Sequence, residues 1–243
     1  MTVLVLGGTA EARELAADLH ARGVPVMSSL AGRVSAPRLP EGEVRIGGFG
    51  GPDGFAAWLV EQQVTAVVDA THPFAERISA SAVTASRLTG VPLLRLARPG
   101  WEQGPGDDWH WVADLGEAAR VVPTLGQRIF LTSGRQGLAA FAHLTGPWFL
   151  VRCVDPPSPP LPPKAEVVLA RGPYTVASEL SLLCEHGIDV LVTKDSGGAH
   201  TSAKLAACRD LGVPVVVVRR PDRSGAASVA TVAAAVRWVL GIR

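Results

Sequence analysis

Three short polar segments of the 243-residue sequence contain the residue types that could do chemistry. Residues 69–75 read Asp-Ala-Thr-His-Pro-Phe-Ala and residues 194–197 read Lys-Asp-Ser-Gly, and each segment follows an apolar run. Their histidine, lysine and aspartate side chains could each give a proton to a substrate. The third segment, Gly7-Gly8-Thr9, follows the apolar run 3–6 and precedes a helical pattern. Glycine at such a turn lets the backbone approach a ligand closely.

The glycine turn predicts a phosphate site. A continuous apolar run before it is typical of a parallel strand that is buried on both faces. Thr9 can cap the helix that follows, and the N-terminal N–H groups and positive dipole end of that helix suit a phosphate. The turn lacks the full G-x-G-x-x-G pattern, so an ordinary strand–turn–helix without a ligand is the alternative.

The end of the second predicted strand, 24–28, bears on the choice of cofactor. In a dinucleotide-binding fold this position meets the adenosine ribose, and an acidic residue there favours NAD. The sequence instead has Ser28 and Ser29, followed by Arg33. Hydroxyl groups and a guanidinium suit a 2′-phosphate, so the pattern favours NADPH. The alternative is a polar loop with a solvated arginine.

Arginines at or just after predicted strand ends indicate an anionic ligand. They are Arg98, Arg135, Arg152, Arg171, Arg219 and Arg220. If several of them converge on one cleft, they form a receptor for a ligand with several carboxylates, whereas a single surface arginine is usually solvated or ion-paired. Ser133 and Gly134 precede Arg135 in a second polar turn, and Lys204 lies on the helix that follows Lys194.

The candidate proton donors also have structural interpretations. His72 could cap the helix that follows it, and Lys194 could pair with Asp195. The sequence contains no nucleophile elbow, no complete Walker lysine loop and no zinc-ligand spacing. Redox chemistry and plain ligand binding are the classes that this leaves.

The elements that must position these residues alternate between strands and helices. Apolar runs near 3–6, 24–28, 43–46, 66–69 and 92–96 predict strands, with helical patterns between most of them. This alternation predicts a doubly wound parallel sheet. A segment rich in Gly, Pro and charge, 98–108, separates it from a second alternation that ends in a helix near 228–240.

The predicted fold class is therefore α/β, with two Rossmann-like parallel-sheet domains and a substrate cleft between them. Residues 1–98 are predicted to form the NADP-binding domain. Residues 99–243 are predicted to form a second α/β domain that contributes the substrate site.

Composition narrows the function classes further. A net charge of +1 argues against nucleic-acid binding that rests on bulk charge. The sequence has no apolar run of about 18 residues, so no membrane span is expected. Three widely spaced cysteines form neither a metal pattern nor an even disulfide set, and no signal-like segment precedes the first strand. A cytoplasmic protein without a metal site is the expectation.

Several motifs together resemble one protein family. They are Gly-Gly-Thr-x-Glu-Ala at 7–12, Ser-Leu-Ala-Gly-Arg at 29–33, the segments 69–75 and 194–197, and the arginine-to-tryptophan stretch at 95–101. Occurring in this order, they resemble the precorrin-6A reductases of cobalamin biosynthesis. The resemblance extends from about residue 2 to residue 221, and its most specific parts are the segments 69–75 and 194–197.

The resemblance implies an activity and a set of site residues. The family reduces one double bond of the precorrin-6A macrocycle with NADPH, giving precorrin-6B, and has two Rossmann-like domains. The implied cofactor-binding residues are Gly7, Gly8, Thr9, Glu11, Ser28, Ser29, Arg33, Thr71, His72 and Pro73. The implied substrate-binding residues are Arg98, Ser133, Gly134, Arg135, Lys194, Asp195, Ser196 and Lys204. His72, Lys194 and Asp195 are the catalytic candidates, with water as a further proton source. Tyr174 is not among them, because the family resembles Phe there.

Three alternatives accompany this interpretation. The substrate could already contain cobalt, as in the anaerobic route. The chain could be a non-catalytic NADP-sensing module, which would need no anion-binding second half. It could also be a tetrapyrrole carrier that binds the ring without NADPH. Other enzymes of the corrin pathway are candidate partners.

Overall fold

A computed structural model describes residues 2–32 and 38–242 of the chain, so Arg33 lies outside the described residues. The chain divides into two compact units. The first unit combines Met1–Pro99 with Pro221–Arg243, and the second is Gly100–Arg220.

The elements alternate between strand and helix along most of the chain. The first group is β1 (Thr2–Leu6), α1 (Ala10–Ala21), β2 (Val26–Leu30), β3 (Glu43–Ile46), α2 (Gly51–Glu61), β4 (Val64–Asp69), α3 (Glu76–Thr89) and β5 (Leu93–Leu96). The second group is β6 (Trp109–Val112), α4 (Leu115–Leu125), β7 (Arg128–Leu131), the 3-10 helix Arg135–Phe141, β8 (Trp148–Cys153), β9 (Ala165–Leu169) and α5 (Val176–Glu185). The last group is β10 (Val190–Lys194), the 3-10 turn Ala199–Thr201, α6 (Ala203–Leu211), β11 (Val215–Val218), β12 (Ala227–Val229) and α7 (Val232–Leu240).

The first unit contains a six-stranded parallel sheet in the order β12-β5-β4-β1-β2-β3. β1 is central, and its residues 3–6 are almost fully buried because helices cover both faces. The chain moves from β1 outward to β3, then returns to β4 on the other side of β1. The order in which strands are added to the sheet therefore reverses between β1 and β4. Open α/β sheets bind ligands at this reversal point, beyond the carboxyl ends of the strands.

The second unit repeats this arrangement. Its six parallel strands have the order β6-β11-β10-β7-β8-β9, so β7 is central and the reversal lies between β7 and β10. In each sheet five strands follow one another in the chain, β1 to β5 or β7 to β11. The sixth strand, β12 or β6, is outside this series and lies at one edge. The predicted fold class, α/β with two Rossmann-like parallel sheets, is confirmed.

The C-terminal segment differs from the sequence expectation. Residues 99–243 were expected to lie together in the second domain, with a helix starting near 228. In the structure, Ala227–Val229 instead forms β12, which pairs with β5, and the helix begins at Val232. Residues 235, 236 and 239 of α7 join the core of α1 and β1. Residues 221–243 therefore belong to the first unit, because their pairing and apolar packing are made there.

Two further features are assessed for the described ranges only. No helix within 2–32 and 38–242 has both the length and the apolar character needed to cross a membrane. Within the same ranges, no three or more His, Cys, Asp or Glu residues form a group that could hold a metal ion.

Candidate active site

The glycine turn lies at the reversal point of the first sheet. The Gly7 N–H donates to the Ser29 carbonyl oxygen at 2.9 Å, which fixes the turn to the end of β2. Gly8 has a φ of +108° and open space where a Cβ would be, so the backbone there is accessible to a ligand. Thr9 accepts the Ala12 N–H at 3.1 Å, which confirms the predicted helix cap.

A shallow recess that is open to solvent adjoins this turn. It is lined by Gly7, Gly8, Ala12, Arg13, Ser28, Leu30, Arg38 and Pro40. Ser28 is 1% exposed, and its Oγ has no hydrogen-bond partner among the described residues. A buried hydroxyl without a partner is costly, so its presence beside two arginines indicates that a polar ligand completes it.

Ser29 is held by an arginine that sequence analysis did not identify. Arg45 lies opposite Ser29 in the β2–β3 register and donates to its Oγ at 2.8 Å. The guanidinium lies 3.9 Å from the centre of the Phe49 ring and also donates to two carbonyl oxygens of the following glycine loop. Burial lowers the pKa of Arg45. The pairing of β2 with β3 creates this contact, and no local pattern indicates it.

The end of β4 carries a buried carboxylate. Asp69 is 2% exposed and accepts the Thr71 N–H at 3.2 Å and the Thr71 hydroxyl at 2.6 Å. The Ser79 hydroxyl on α3 donates to its other oxygen at 2.6 Å. Arg223, which follows the second unit in the chain, forms an ion pair with the same oxygen at 2.6 Å. A separate hydrogen bond connects the glycine turn to the loop after β4: the Thr9 hydroxyl donates to the Ala70 carbonyl oxygen at 2.7 Å.

His72 and Pro73 lie on the loop that follows Asp69. The His72 Nδ1 accepts the Phe74 N–H at 3.3 Å, so a neutral ring carries its proton on Nε2. His72 does not cap α3, whose N-cap residue is Ala75 without a side-chain cap bond. The ring therefore lies at the reversal point of the sheet, with its Nδ1 used by the Phe74 N–H.

Two predicted site residues of the first unit bind each other. Arg98 donates to the Glu11 carboxylate at 2.6 Å, and the two side chains are only 17% and 23% exposed. Glu11 lies in the first turn of α1, where a negative charge is favoured by the helix dipole. This pair fixes the segment after β5 to the helix of the glycine turn.

The second unit places its own polar turn at the reversal point between β7 and β10. The Thr132 hydroxyl donates to the Val192 carbonyl oxygen at 2.9 Å, which connects the two strands. Ser133 is buried, and its Oγ lacks a hydrogen-bond partner within the described ranges. Gly134 has a φ of +78°, and Arg135 lies 3.6 Å from Asp155. The predicted turn 133–135 therefore occupies the position that the glycine turn has in the first sheet.

Asp195 at the end of β10 holds surrounding backbone and charge. Its carboxylate accepts the Trp101 N–H at 3.0 Å and forms an ion pair with Arg220 at 3.1 Å. A Cβ on Gly100 would meet Asp195 Oδ2 at 2.6 Å, so a larger residue there would displace the carboxylate. Both carboxylate oxygens are used in this way, which favours a structural role for Asp195 over proton donation. Lys194, the last residue of β10, is half-buried, and Ser196 donates to its carbonyl oxygen.

Lys204 lies in a buried charged cluster beneath this end of the sheet. It is 5% exposed, and its Nζ lies 5.1 Å from the centre of the Trp101 ring. The pKa of Lys204 is lowered to about 7, mainly by burial and also by the charge of Arg152, while Glu179 opposes the shift. Arg152 and Glu179 form a two-pronged ion pair with distances of 2.6 and 3.2 Å.

The arginines of the predicted anion receptor are mostly engaged within their own units. Arg98 pairs with Glu11, Arg152 with Glu179 and Arg220 with Asp195. The Arg219 guanidinium lies 5.1 Å from the centre of the Trp111 ring. The residues that do come together at a reversal point are the turn 133–135 and the segment 194–196. Arg13, Arg38, Arg45 and Arg223 were not identified from the sequence, because their contacts join residues that are distant or lack a motif.

Comparisons with known proteins place this geometry in context. The family model described as Precorrin-6x reductase CbiJ/CobK matches residues 2–240. A Rhodococcus erythropolis protein named Precorrin-6A reductase is 55% identical over 98% of this chain and 96% of its own. A Priestia megaterium protein named Cobalt-precorrin-6A reductase is 30% identical over 90% of each. A solved structure titled CobK precorrin-6A reductase is 42% identical, with a TM-score of 0.94 over 99% of this chain and 96% of that chain.

Proposed function

The chain belongs to the precorrin-6x reductase family, and from this premise we propose that it reduces precorrin-6A to precorrin-6B with NADPH. A reductase of this family uses a nicotinamide cofactor. Identity to the relative named precorrin-6A reductase is much higher than to the one named cobalt-precorrin-6A reductase, which favours the metal-free substrate. The observation that supports the proposal best is the recess beside the glycine turn, at the reversal point of a Rossmann-type sheet.

The residues around the recess fit a dinucleotide. Gly7 and Gly8 leave backbone accessible at the N-terminus of α1, where a pyrophosphate is favoured by free N–H groups and the helix dipole. Thr9 keeps the turn in place through its cap bond and its bond to the loop after β4. Thr71, His72 and Pro73 follow β4, the position next to the glycine turn, and we assign them to the nicotinamide end.

The same recess favours NADPH over NADH. The end of β2 carries Ser28 and Ser29 and no carboxylate that would repel a 2′-phosphate. Arg13 and Arg38 line the recess with the unpartnered Ser28 hydroxyl. A phosphate would accept hydrogen bonds from all three, and each such bond to a charged group is worth about 1.5–3 kcal/mol. The contact of Arg33 with this phosphate, which the sequence predicts, stays a proposal.

The second unit supplies groups that suit a tetrapyrrole with several carboxylates. Arg135, Lys194 and the hydroxyls of Ser133 and Ser196 lie at the end of its central strands. Cations and hydroxyls of this kind bind carboxylates, and a positive field stabilises negative charge as electrons enter the macrocycle. We assign these residues, together with Gly134, to substrate binding, whereas Lys204 is buried and is interpreted as a structural residue.

The chain's residues divide the work of the reaction. When bound, the reduced nicotinamide supplies the hydride. His72 offers an Nε2–H donor, whose tautomer is set by the Phe74 N–H. Asp195 holds Trp101 and Arg220 at the end of β10, which we interpret as a positioning role. A neutral imidazole that lost its Nε2 proton would become an imidazolate, so we assign His72 to hydrogen bonding and propose Lys194 or water as the proton source.

An anaerobic assay with purified protein tests the proposal. Metal-free precorrin-6A and its cobalt-containing form are each offered with NADPH or NADH, and nicotinamide absorbance and product mass are followed together. We expect NADPH oxidation matched by a gain of two hydrogens on metal-free precorrin-6A. Turnover of only the cobalt form would assign the chain to the other branch of the family. NADPH binding without turnover of either substrate would contradict the proposed reaction.

A pair of variants tests the cofactor assignment separately. Arg38→Ala should raise the Kd for NADPH by about 10- to 100-fold and leave the Kd for NADH nearly unchanged, because only the 2′-phosphate contact is lost. Arg22→Ala is the matched control, since Arg22 pairs with Asp18 on the exposed side of α1. Equal weakening of both cofactors by Arg38→Ala would rule out the 2′-phosphate assignment.

A further inference from the structure

Arg223 reaches the loop after β4 from a distant part of the chain. It follows the second unit and is 11% exposed, and its Nη2 donates to Asp69 Oδ2 at 2.6 Å. The same nitrogen donates to the hydroxyls of Thr71 and Ser79. Its Nη1 donates to the His72 carbonyl oxygen at 3.2 Å. One guanidinium therefore connects a buried carboxylate to the backbone of the residue assigned to the nicotinamide end.

We propose that Arg223 is a positioning residue, which holds the loop 70–75 so that His72 and Thr71 are correctly placed for turnover. This inference rests on the proposed function. Arg223 is not assigned to contact cofactor or substrate. It acts by fixing the loop, because its Nη1 donates to the His72 carbonyl oxygen and its Nη2 donates to Asp69.

Charge neutralisation alone does not account for Arg223. Asp69 already has a second buried cation nearby, because Arg95 Nε lies 3.8 Å from the same carboxylate oxygen. Burial lowers the pKa of Arg95 and the charge of Arg223 lowers it further, while Asp69 and Asp222 oppose the shift. The guanidinium of Arg223 thus disfavours the charged form of the neighbouring Arg95. What Arg223 adds is geometry, since it donates to the His72 carbonyl oxygen as well as to the Asp69 carboxylate.

The loop that Arg223 holds is connected to the rest of the cofactor site. The His72 carbonyl oxygen also accepts the Ala75 N–H at 2.8 Å, and the ring is oriented by the Phe74 N–H. The Ala70 carbonyl oxygen accepts the Thr9 hydroxyl of the glycine turn. A change in the backbone of this loop therefore alters both the direction of His72 Nε2–H and the support of the phosphate turn.

The test uses Arg223→Lys, which keeps a positive charge near Asp69 but lacks the two-armed guanidinium. We expect kcat to fall by about 10- to 100-fold, since a displacement of about 1 Å at a reacting group has effects of this size. The KM for precorrin-6A should change by less than about threefold, because the substrate-binding groups assigned to the second unit are untouched. Arg95→Lys is the matched control, as Arg95 contacts the same carboxylate without donating to the loop. It should keep kcat within about threefold.

A second readout does not need turnover. Nitrogen-15 NMR of labelled histidines reports the tautomer of His72, with His72→Gln used to assign its signals. Wild-type His72 should show the Nε2–H form, and Arg223→Lys should shift or broaden these signals. If Arg223→Lys does not fold, Arg223→Gln, which leaves the Asp69 carboxylate beside Arg95, is measured in its place.

The outcomes separate this inference from the proposed function. A loss of kcat with altered His72 signals supports the positioning role. Unchanged kcat in Arg223→Lys, or an equal loss in Arg95→Lys, overturns it. If wild-type protein does not reduce precorrin-6A at all, the proposed function fails, and unchanged His72 signals in Arg223→Lys would then overturn the positioning role independently.

Discussion

Replacing Lys204 with Met should stabilise the protein near neutral pH. The amine of Lys204 is buried, and its Nζ lies 5.1 Å from the centre of the Trp101 ring. Arg152 repels it and Glu179 attracts it, but Glu179 is already engaged in two hydrogen bonds with Arg152. Methionine fills a similar volume without bringing a charge into the site.

The size of the effect follows from the pKa. Burial lowers the pKa of Lys204 from 10.5 to about 7 in the folded protein. Between these two values the unfolded chain binds a proton that the folded chain does not, so the free energy of unfolding rises with pH in this window. Below pH 7 both states are charged and the penalty is complete, on the order of 4–5 kcal/mol at 1.36 kcal/mol per pKa unit. Linkage then predicts that the wild-type protein regains about 2 kcal/mol between pH 7 and pH 9.

Urea unfolding of both proteins at pH 7, 8 and 9 measures this. Lys204→Met should be the more stable protein at pH 7, and its advantage should shrink by about 2 kcal/mol at pH 9. The control is Lys164→Met, because Lys164 is an exposed lysine whose Nζ donates to the Gly146 carbonyl oxygen. Its stability difference from wild type should not depend on pH. An advantage of Lys204→Met that stays constant or grows with pH would refute the assignment of a neutral buried amine.

Three further substitutions test single contacts. Glu179→Gln should lower the free energy of unfolding by about 3–5 kcal/mol in denaturant titrations, because it leaves the buried Arg152 charge uncompensated; a loss under about 1 kcal/mol would contradict this. Thr9→Val should cost about 1–2 kcal/mol and weaken NADPH binding measured by calorimetry, since both the helix cap and the bond to Ala70 are lost, whereas Thr9→Ser should restore both. Tyr174→Phe should keep kcat within about twofold and cost about 1 kcal/mol, as only the bond from its hydroxyl to a carbonyl oxygen is lost; a large loss of kcat would make Tyr174 a proton donor.

The strands at the centre of each sheet could be predicted because their environment is recorded in their own residues. β1 and β10 are covered on both faces, so they consist of almost uninterrupted apolar runs. β12 could not be predicted in this way, since Ala227–Val229 is a short, largely exposed edge strand. It exists because β5 offers an unpaired edge about 130 residues earlier in the chain. The predicted boundary at residue 99 therefore could not show that the chain returns to the first unit after residue 220.

The residues of the candidate site also divide into those that local sequence features indicate and those that depend on distant contacts. Gly7, Thr9 and His72 were identified because local features indicate them, namely a turn, a helix cap and the end of a strand. Arg38 and Arg223 were not, because an arginine in a loop looks the same whether it is solvated or buried. Its role depends on which carboxylate or ligand the fold brings to it, and for Arg223 that carboxylate lies 154 residues away.

Asp69 ends β4 and Asp195 directly follows β10, and β4 and β10 are the strands that follow the reversal in their sheets. Both are buried, both accept backbone N–H groups, and both pair with an arginine from a later part of the chain. A buried carboxylate needs such a cation and such donors, so an aspartate that ends a buried parallel strand indicates an anchored loop more directly than it indicates a proton donor. The aspartate at each strand end was therefore a sequence feature that indicated an anchored loop. The partner arginines, which decide that the aspartates act as anchors, became visible only with the tertiary structure.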